Sequence, residues 1–188
     1  MNILVDKIET IVNSHITTKI NQDFRTCILF ELLMQDRSIT NEAKIIQTIR
    51  LFCQEIPTDI ETAIKDILWF YSGGIETDEK AENKKDNHKQ IYSFEYDDKL
   101  IYSAFMSQYG IDLQDIPYLH WWKFKAMFEG LNQENKIVEI MSYRSINTLE
   151  IKDKEEKARI RKIQRAYALP DMRTQEEKEA DFNNAFAF

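Results

Sequence analysis

The feature that most constrains this chain is a series of apolar stripes with helical spacing. Between residues 24 and 71, apolar side chains recur three, four, seven and eight positions apart in three successive segments. That period is typical of helices packed against a core. With only four Gly and three Pro in 188 residues, the chain is poorly suited to a β-sandwich with many tight turns. The sequence therefore predicts a mainly α fold, as a compact multi-helix domain.

Turn and capping residues divide this region into three predicted helices. Asp36 to Ser38 ends the first, which starts near Asn21, and Pro57 ends the second. Thr58 and Glu61 form a capping-box pattern before the third helix. Gly tolerates the left-handed conformation that follows many helices, so Gly73-Gly74 marks its end. The apolar stripe of the second helix is Ile45, Ile49, Phe52, Cys53 and Ile56.

The first twenty residues do not show this period. Thr10-Ile11-Val12 and His15-Ile16-Thr17 are two β-branched runs on either side of the turn pair Asn13-Ser14. Such a pattern favours a short N-terminal β-hairpin, which would have to pack on the helices because isolated hairpins are weak.

We predict four regions along the chain. Residues 1–75 form a half with the hairpin and three helices, and residues 76–90 form a charged linker or loop with almost no apolar side chains. Residues 91–170 form a second helical half, which we expect to pack with the first as one domain, and 171–188 form a C-terminal tail. Helices in the second half are predicted over about 97–109, 117–131 and 153–167, with a further one marked by Ile137, Ile140 and Met141.

The sequence contains no recognisable catalytic or metal-binding pattern. The histidines, His15, His88 and His120, lack the paired spacing of a zinc site. The chain has no Ser in a Gly-flanked elbow and no P-loop. Cys27 and Cys53 lie in apolar runs, which is typical of buried free thiols. We therefore expect a protein that is not an enzyme and needs no cofactor or metal.

The charge pattern allows two interpretations of the basic segment 152–165. The net charge of -7 makes general attraction to nucleic acid unfavourable, yet residues 152–165 carry seven basic and three acidic side chains. This basic helix could bind nucleic acid or an acidic partner, or it could be a solvated face with local Glu–Lys pairs, which we favour. No apolar run approaches membrane-spanning length and Met1 to Asp6 lacks a signal-peptide pattern; we expect a soluble protein in a reducing compartment.

Two aromatic segments are candidates for partner binding. In Tyr118 to Lys125, the adjacent Trp121 and Trp122 point about 100° apart on a helix. Either both pack in a core with neighbours on two sides, or one is exposed at an interface. We select Trp121, Trp122 and Phe124 here, and Phe182 and Phe186 in the tail. The tail could dock on a partner, pack on its own domain, or be dispensable.

Several short motifs resemble a known family. They are Ser107-Gln108-Tyr109-Gly110-Ile111-Asp112-Leu113, Leu119-His120-Trp121-Trp122-Lys123-Phe124 and Tyr143-Arg144, with supporting similarity in Asn21 to Arg25, Ile67 to Tyr71 and Tyr167 to Pro170. Over roughly residues 1–170 the chain resembles the bacteriophage gene-product-fifteen family of tailed phages of Gram-positive bacteria. The charged run 76–90 looks longer than is usual in that family.

The resemblance implies a role in phage tail assembly. Members are encoded among tail genes, which implies a chaperone that binds the tape-measure protein and recruits tail-tube subunits, with self-association as a further possibility. It implies action in the host cell cytoplasm, during phage assembly or from a prophage. The alternative reading is a nucleic-acid-binding phage protein that uses helix 152–165.

Overall fold

The computed structural model describes residues 4–75 and 90–171. Within these ranges the chain forms eight α-helices and no β-strand apart from one isolated bridge. The helices are α1 (Ile8–His15), α2 (Phe24–Gln35), α3 (Asn41–Phe52), α4 (Ile60–Tyr71), α5 (Asp98–Tyr109), α6 (Trp121–Glu129), α7 (Lys136–Ser145) and α8 (Lys154–Ala166). The prediction of a mainly α fold is confirmed for the described residues. Residues 76–89 and 172–188, which hold nearly all of the charged run and of the tail, lie outside them.

The predicted N-terminal hairpin is wrong, because most of its residues, 10–15, belong to α1 and the rest form no strand. Ile8 and Val12 are one helical turn apart and both are buried, and Ile16, a further four residues on, is buried just after the helix. The β-branched side chains share one face that packs on the core. Burial of this face outweighs the modest preference of β-branched residues for strands.

The end of α3 differs from its predicted end near Pro57. The helix stops at Phe52 because the Phe52 carbonyl accepts a hydrogen bond from the backbone N–H of Asn21, at 2.7 Å. Cys53 is already extended, and Ile56 leaves the predicted stripe with a side chain that is 77% exposed. A contact with a residue distant in sequence thus replaces the last helical turn.

The capping residue of α4 is Asp59 rather than Thr58. The Asp59 carboxylate accepts from the backbone N–H of Thr62, at 3.0 Å, and satisfies a donor in the first helical turn. The predicted stop at Gly73 and Gly74 is confirmed, since both have a left-handed backbone with φ of +89° and +80°.

The two groups of helices meet where α2 packs on α6. Just before these helices, Asp23 and His120 form an antiparallel bridge, and the N–H of Phe24 donates to the Leu119 carbonyl at 2.9 Å. This pairing keeps the residues after Pro117 extended, so α6 begins at Trp121 rather than at the predicted Pro117. α3 packs between α2 and α4 on one side of the junction, and α7 packs between α5 and α8 on the other.

A single cluster of buried apolar residues runs through both groups. At its centre the Phe124 ring stacks on Phe24 from α2 and on Phe105 from α5, with both ring centroids 4.9 Å away. Phe124 is 1% exposed. The three rings therefore join helices from both ends of the sequence in one core.

Candidate partner-binding site

A cavity of about 390 Å³ lies at the junction of the two groups of helices. Its lining is mainly apolar and includes the rings of Tyr71, Tyr92, Phe94, Trp121, Phe124 and Phe128. Val138 and Met141 of α7 complete one wall, while Lys125 and Glu129 add one charge of each sign. We call this the aromatic cavity. Its size and lining are typical of sites that accept an apolar group.

The indole rings of Trp121 and Trp122 fix α6 against the end of α4. Trp121 Nε1–H donates to the Tyr71 carbonyl at 2.9 Å, and Trp122 Nε1–H donates to the Phe70 carbonyl at 2.7 Å. These carbonyls lie in the last turn of α4, and the Phe70 carbonyl also accepts from the backbone N–H of Gly73 at 3.1 Å. Both rings are buried, and the two bonds hold the Trp121 wall of the aromatic cavity in place.

His120 caps the first turn of α6 from inside the core. Its Nδ1 accepts from the backbone N–H of Trp122 at 3.0 Å, which leaves Nε2 to donate to the Gln22 side-chain oxygen at 3.1 Å. Burial lowers the pKa of His120 to about 4, with a smaller contribution in the same direction from Lys123. The imidazole is thus neutral at pH 7, as this hydrogen-bond pattern requires.

A buried ion pair holds the segment that forms one wall of the aromatic cavity. The Arg144 guanidinium makes two hydrogen bonds to the Asp97 carboxylate, at 2.5 and 3.0 Å, and donates to the carbonyls of Ile91 and Tyr167. Asp97 also accepts from the backbone N–H of Ser93 at 2.9 Å. These bonds fix residues 91–97 between α7 and the end of α8, and so place Tyr92 and Phe94 in the cavity wall.

The two tyrosine hydroxyls at the cavity are not ionised at neutral pH. The Tyr71 hydroxyl donates to the Glu31 carboxylate at 2.6 Å, and burial raises the pKa of both groups. The pKa of Tyr92 is raised to about 12, mainly by burial and then by the negative charges of Glu31 and Glu129. Neither phenol is therefore activated as a nucleophile, and the hydroxyls act as hydrogen-bonding groups within an apolar lining.

The structure separates the residues that the sequence singled out for partner binding. Trp121 and Phe124 line the aromatic cavity, whereas Trp122 packs on Trp69 and Phe70. Both adjacent tryptophans are buried, at 3% and 5% exposure, which agrees with the alternative of packing on two sides. A partner-binding role for these residues stays a prediction. Phe182 and Phe186 lie outside the described residues.

Sequence reasoning missed the other side chains that form the cavity. Tyr92 and Phe94 belong to a short non-helical segment, so a search for helical periodicity passes over them. Their position in the sequence could have identified them. They are two aromatic residues close together, directly after a long charged run, where apolar side chains begin again. Met141 was identified only as part of a helical stripe.

Most of the motifs that carried the family resemblance build the junction between the two groups of helices. The Arg25 guanidinium, next to Phe24, donates to the carbonyls of Leu113 and Ile116, both at 2.7 Å. Gln108, from another of these motifs, acts within the second group of helices: its side-chain oxygen accepts from the backbone N–H of Asn132 and from the Asn135 side chain, at 2.9 and 2.7 Å. These side chains stabilise the fold and so hold the aromatic cavity in shape.

The basic segment forms α8, which packs on α7 and buries Ile160 as its single fully buried residue. Six basic side chains, Lys152, Lys154, Arg159, Arg161, Lys162 and Arg165, are exposed. Arg159 pairs with Glu156 at 2.7 Å. The exposed surface of α8 can therefore attract negative charge, although part of its own charge is neutralised locally.

Residues 4–75 and 90–171 contain neither a metal-ligand cluster nor a helix suited to a membrane. No group of three or more His, Cys, Asp or Glu side chains there is arranged to hold a metal ion. None of the helices formed by residues 4–75 and 90–171 has the length and apolar character needed to cross a bilayer. His15, one of the three histidines, stacks on Trp69 with ring centroids 3.7 Å apart.

Comparison with known protein families matches residues 4–169 to the family described as "Bacteriophage Gp15 protein". The match covers all eight helices and every residue that lines the aromatic cavity. Searches of curated proteins and of solved structures find no match.

Proposed function

Because this chain belongs to the bacteriophage Gp15 protein family and is thus a phage protein, we propose that it is a non-enzymatic tail-assembly factor. In this role it binds the tape-measure protein as a chaperone and recruits tail-tube subunits in the host cell cytoplasm. The aromatic cavity is the observation that carries the proposal, since it offers a mainly apolar site for a side chain of the partner.

The chemistry of the cavity suits an apolar side chain presented by a helix of the partner. Aromatic walls give a large contact area with little loss of side-chain freedom, and a helix inserts such anchors at three- or four-residue spacing. Lys125 and Glu129 can then contact polar groups beside the anchor. Burial of the partner's apolar anchors would reduce its tendency to aggregate before assembly.

Exposed apolar side chains on the first group of helices offer a second contact region. Leu29 on α2, Ile45 and Ile46 on α3, and Ile60 and Leu68 on α4 are each between 46% and 53% exposed. Since α3 packs on both α2 and α4, the three helices form one layer. A partner helix that reaches from the cavity to this layer would bury more apolar surface than the cavity alone offers.

Co-expression with the tape-measure protein of the same phage tests the proposal. We expect Met141→Glu to abolish co-purification. An apolar side chain of the partner that entered the aromatic cavity would displace water from the new carboxylate, and this loss of hydration makes binding unfavourable. Met106→Glu is the matched control, since Met106 lies on α5 at 39% exposure and does not line the cavity.

Two results would contradict the proposal. If the tape-measure protein is equally soluble without this chain, the chaperone role is wrong. If the correctly folded Met141→Glu variant binds as well as the wild type, the aromatic cavity is not the binding site.

A second candidate function rests on the exposed basic side chains of α8. Nucleic acid bound there would lose affinity steeply as salt concentration rises, because counterions compete for the phosphates. A mobility-shift titration with double-stranded DNA and single-stranded RNA at low salt checks this. Absence of a shift for both would remove the candidate, and Arg161→Glu with Arg165→Glu should abolish any shift observed.

A further inference from the structure

The solvent-facing side of α3 carries an apolar side chain between two opposite charges. Ile46 is 53% exposed, and Glu42 and Arg50, four positions before and after it, are exposed as well. Residues four apart lie on one face of a helix and are separated by about 6 Å along its axis. The three side chains therefore form a stripe, which we call the α3 stripe, with an acidic end, an apolar centre and a basic end.

The two charges of the α3 stripe are not neutralised within the described part of the chain. Neither Glu42 nor Arg50 forms an ion pair there. They are separated by about 12 Å along the axis of α3, which is too far for them to pair with each other. By contrast, Glu61 and Lys65 on α4 are only four positions apart and form an ion pair at 2.7 Å. Both charges on α3 are thus available to a partner.

The α3 stripe is complementary to itself when a second copy runs in the opposite direction. Ile46 is equally far from both charges, so a twofold axis beside it pairs the two α3 helices in antiparallel orientation. Ile46 then faces Ile46 of the second copy, and Glu42 of each copy faces Arg50 of the other. A parallel pair in the same register would instead place like charges opposite each other, which is unfavourable.

Apolar side chains near the α3 stripe can extend the contact. Ile45 on α3, and Ile60 and Leu68 on α4, are between 46% and 48% exposed, and α4 packs on α3. Removal of such side chains from water favours association. Apolar burial thus supplies affinity, while the two charge pairs determine the relative orientation of the copies.

We propose that this face of α3 is a dimer interface, in which a second copy of the chain packs antiparallel about Ile46 with one Glu42–Arg50 pair on each side. The dimer does not depend on the tail-assembly role, since no residue of α3 lines the aromatic cavity. It covers part of the exposed apolar layer formed by α2, α3 and α4. A partner helix that reached this layer would therefore compete with the second copy.

Charge reversal on α3, followed by sedimentation velocity at increasing protein concentration, tests the dimer. We expect the wild type to show a monomer–dimer equilibrium. Glu42→Arg or Arg50→Glu alone creates two like-charge contacts across the twofold axis, and each should raise the dimer dissociation constant at least about tenfold. The two substitutions together place opposite charges face to face again and should restore most of the affinity.

The double reversal distinguishes the interface from an effect on folding. Glu42 lies in the first turn of α3 and Arg50 in the last, so both substitutions oppose the helix dipole. A loss of dimer caused by weakened folding would therefore be greatest in the double variant. Glu134→Arg with Lys123→Glu is the matched control, because it reverses the same two charges at exposed positions outside α3. This control should leave the dissociation constant unchanged.

Ile46→Asp tests the centre of the interface. It places two carboxylates next to each other at the twofold axis and should also raise the dissociation constant at least about tenfold. Leu149→Asp is its control, since Leu149 is 79% exposed and lies between α7 and α8.

Three results would overturn the proposal. They are a wild type that stays monomeric at every concentration, a double reversal as weak as the single ones, and control substitutions that weaken the dimer as much as those on α3. The measurement uses this chain alone, so its failure is distinct from failure of the co-purification test.

Discussion

His120 is the residue whose protonation should most directly affect stability. Its pKa is lowered to about 4 in the fold, against about 6.5 in an unfolded chain. Between these values the unfolded chain binds a proton that the folded protein does not, so stability falls as pH drops from 6.5 toward 4. We expect protonation of His120 in the unfolded chain to lower the free energy of unfolding by up to about 3 kcal/mol across this pH range.

Denaturant unfolding at pH 7, 6, 5 and 4.5 measures this loss. The control is His120→Asn, because an Asn side chain can still accept from the Trp122 N–H at the N-cap but does not titrate in this range. The variant should lose less stability between pH 6.5 and 4 than the wild type. Parallel curves for the two proteins would show that His120 is not the group responsible.

Phe124 is the residue whose size matters most to the core. Its ring stacks on Phe24 and Phe105 and also lines the aromatic cavity. Phe124→Ala should lower the free energy of unfolding by about 3–5 kcal/mol, because it removes buried contacts and leaves a void. Lys123→Ala, the exposed neighbour on α6, should change it by less than about 0.5 kcal/mol. Chemical denaturation of both variants checks the difference, and equal effects would mean that the core is elsewhere.

At the scale of elements, the Asp97–Arg144 pair connects the start of α5, the end of α7 and the end of α8. Both side chains are buried, at 4% and 7% exposure. Removing one partner leaves the other charge buried without a counter-charge. Asp97→Asn or Arg144→Met should therefore lower the free energy of unfolding by about 3–5 kcal/mol.

A double-mutant cycle separates the pair from its surroundings. The double variant should lose clearly less stability than the sum of the single losses, since no unpaired charge remains. Urea unfolding of the four proteins gives the coupling energy. Additive losses would show that the bonds from Arg144 to backbone carbonyls, rather than the ion pair, hold these elements together.

At the scale of the whole molecule, the charged run 76–90 separates two groups of helices that share one core. Replacing it with a short Gly/Ser linker should leave the fold intact, because halving a loop changes its closure entropy by only about 0.6 kcal/mol. Thermal melting should show one cooperative transition with little change in Tm. Two separate transitions, or a large fall in Tm, would mean that the run itself contributes to packing.

The sequence alone determined the mainly α character, the positions of most helices and the family. Helical stripes such as that of α4, and stops such as Gly73-Gly74, depend on residues a few positions apart. The family match needs no structure at all, because it depends on the order of residues over 4–169.

Only the tertiary structure determined the outcome at positions where contacts between distant segments override the local sequence pattern. The β-branched residues of α1 became helical by burying one face, and α3 ended early because the Phe52 carbonyl binds Asn21. The aromatic cavity combines side chains from α4, residues 91–94, α6 and α7. The spacing of residues within one helix does not show which helices pack together. Burial and hydrogen bonding between distant segments form only when the whole chain packs.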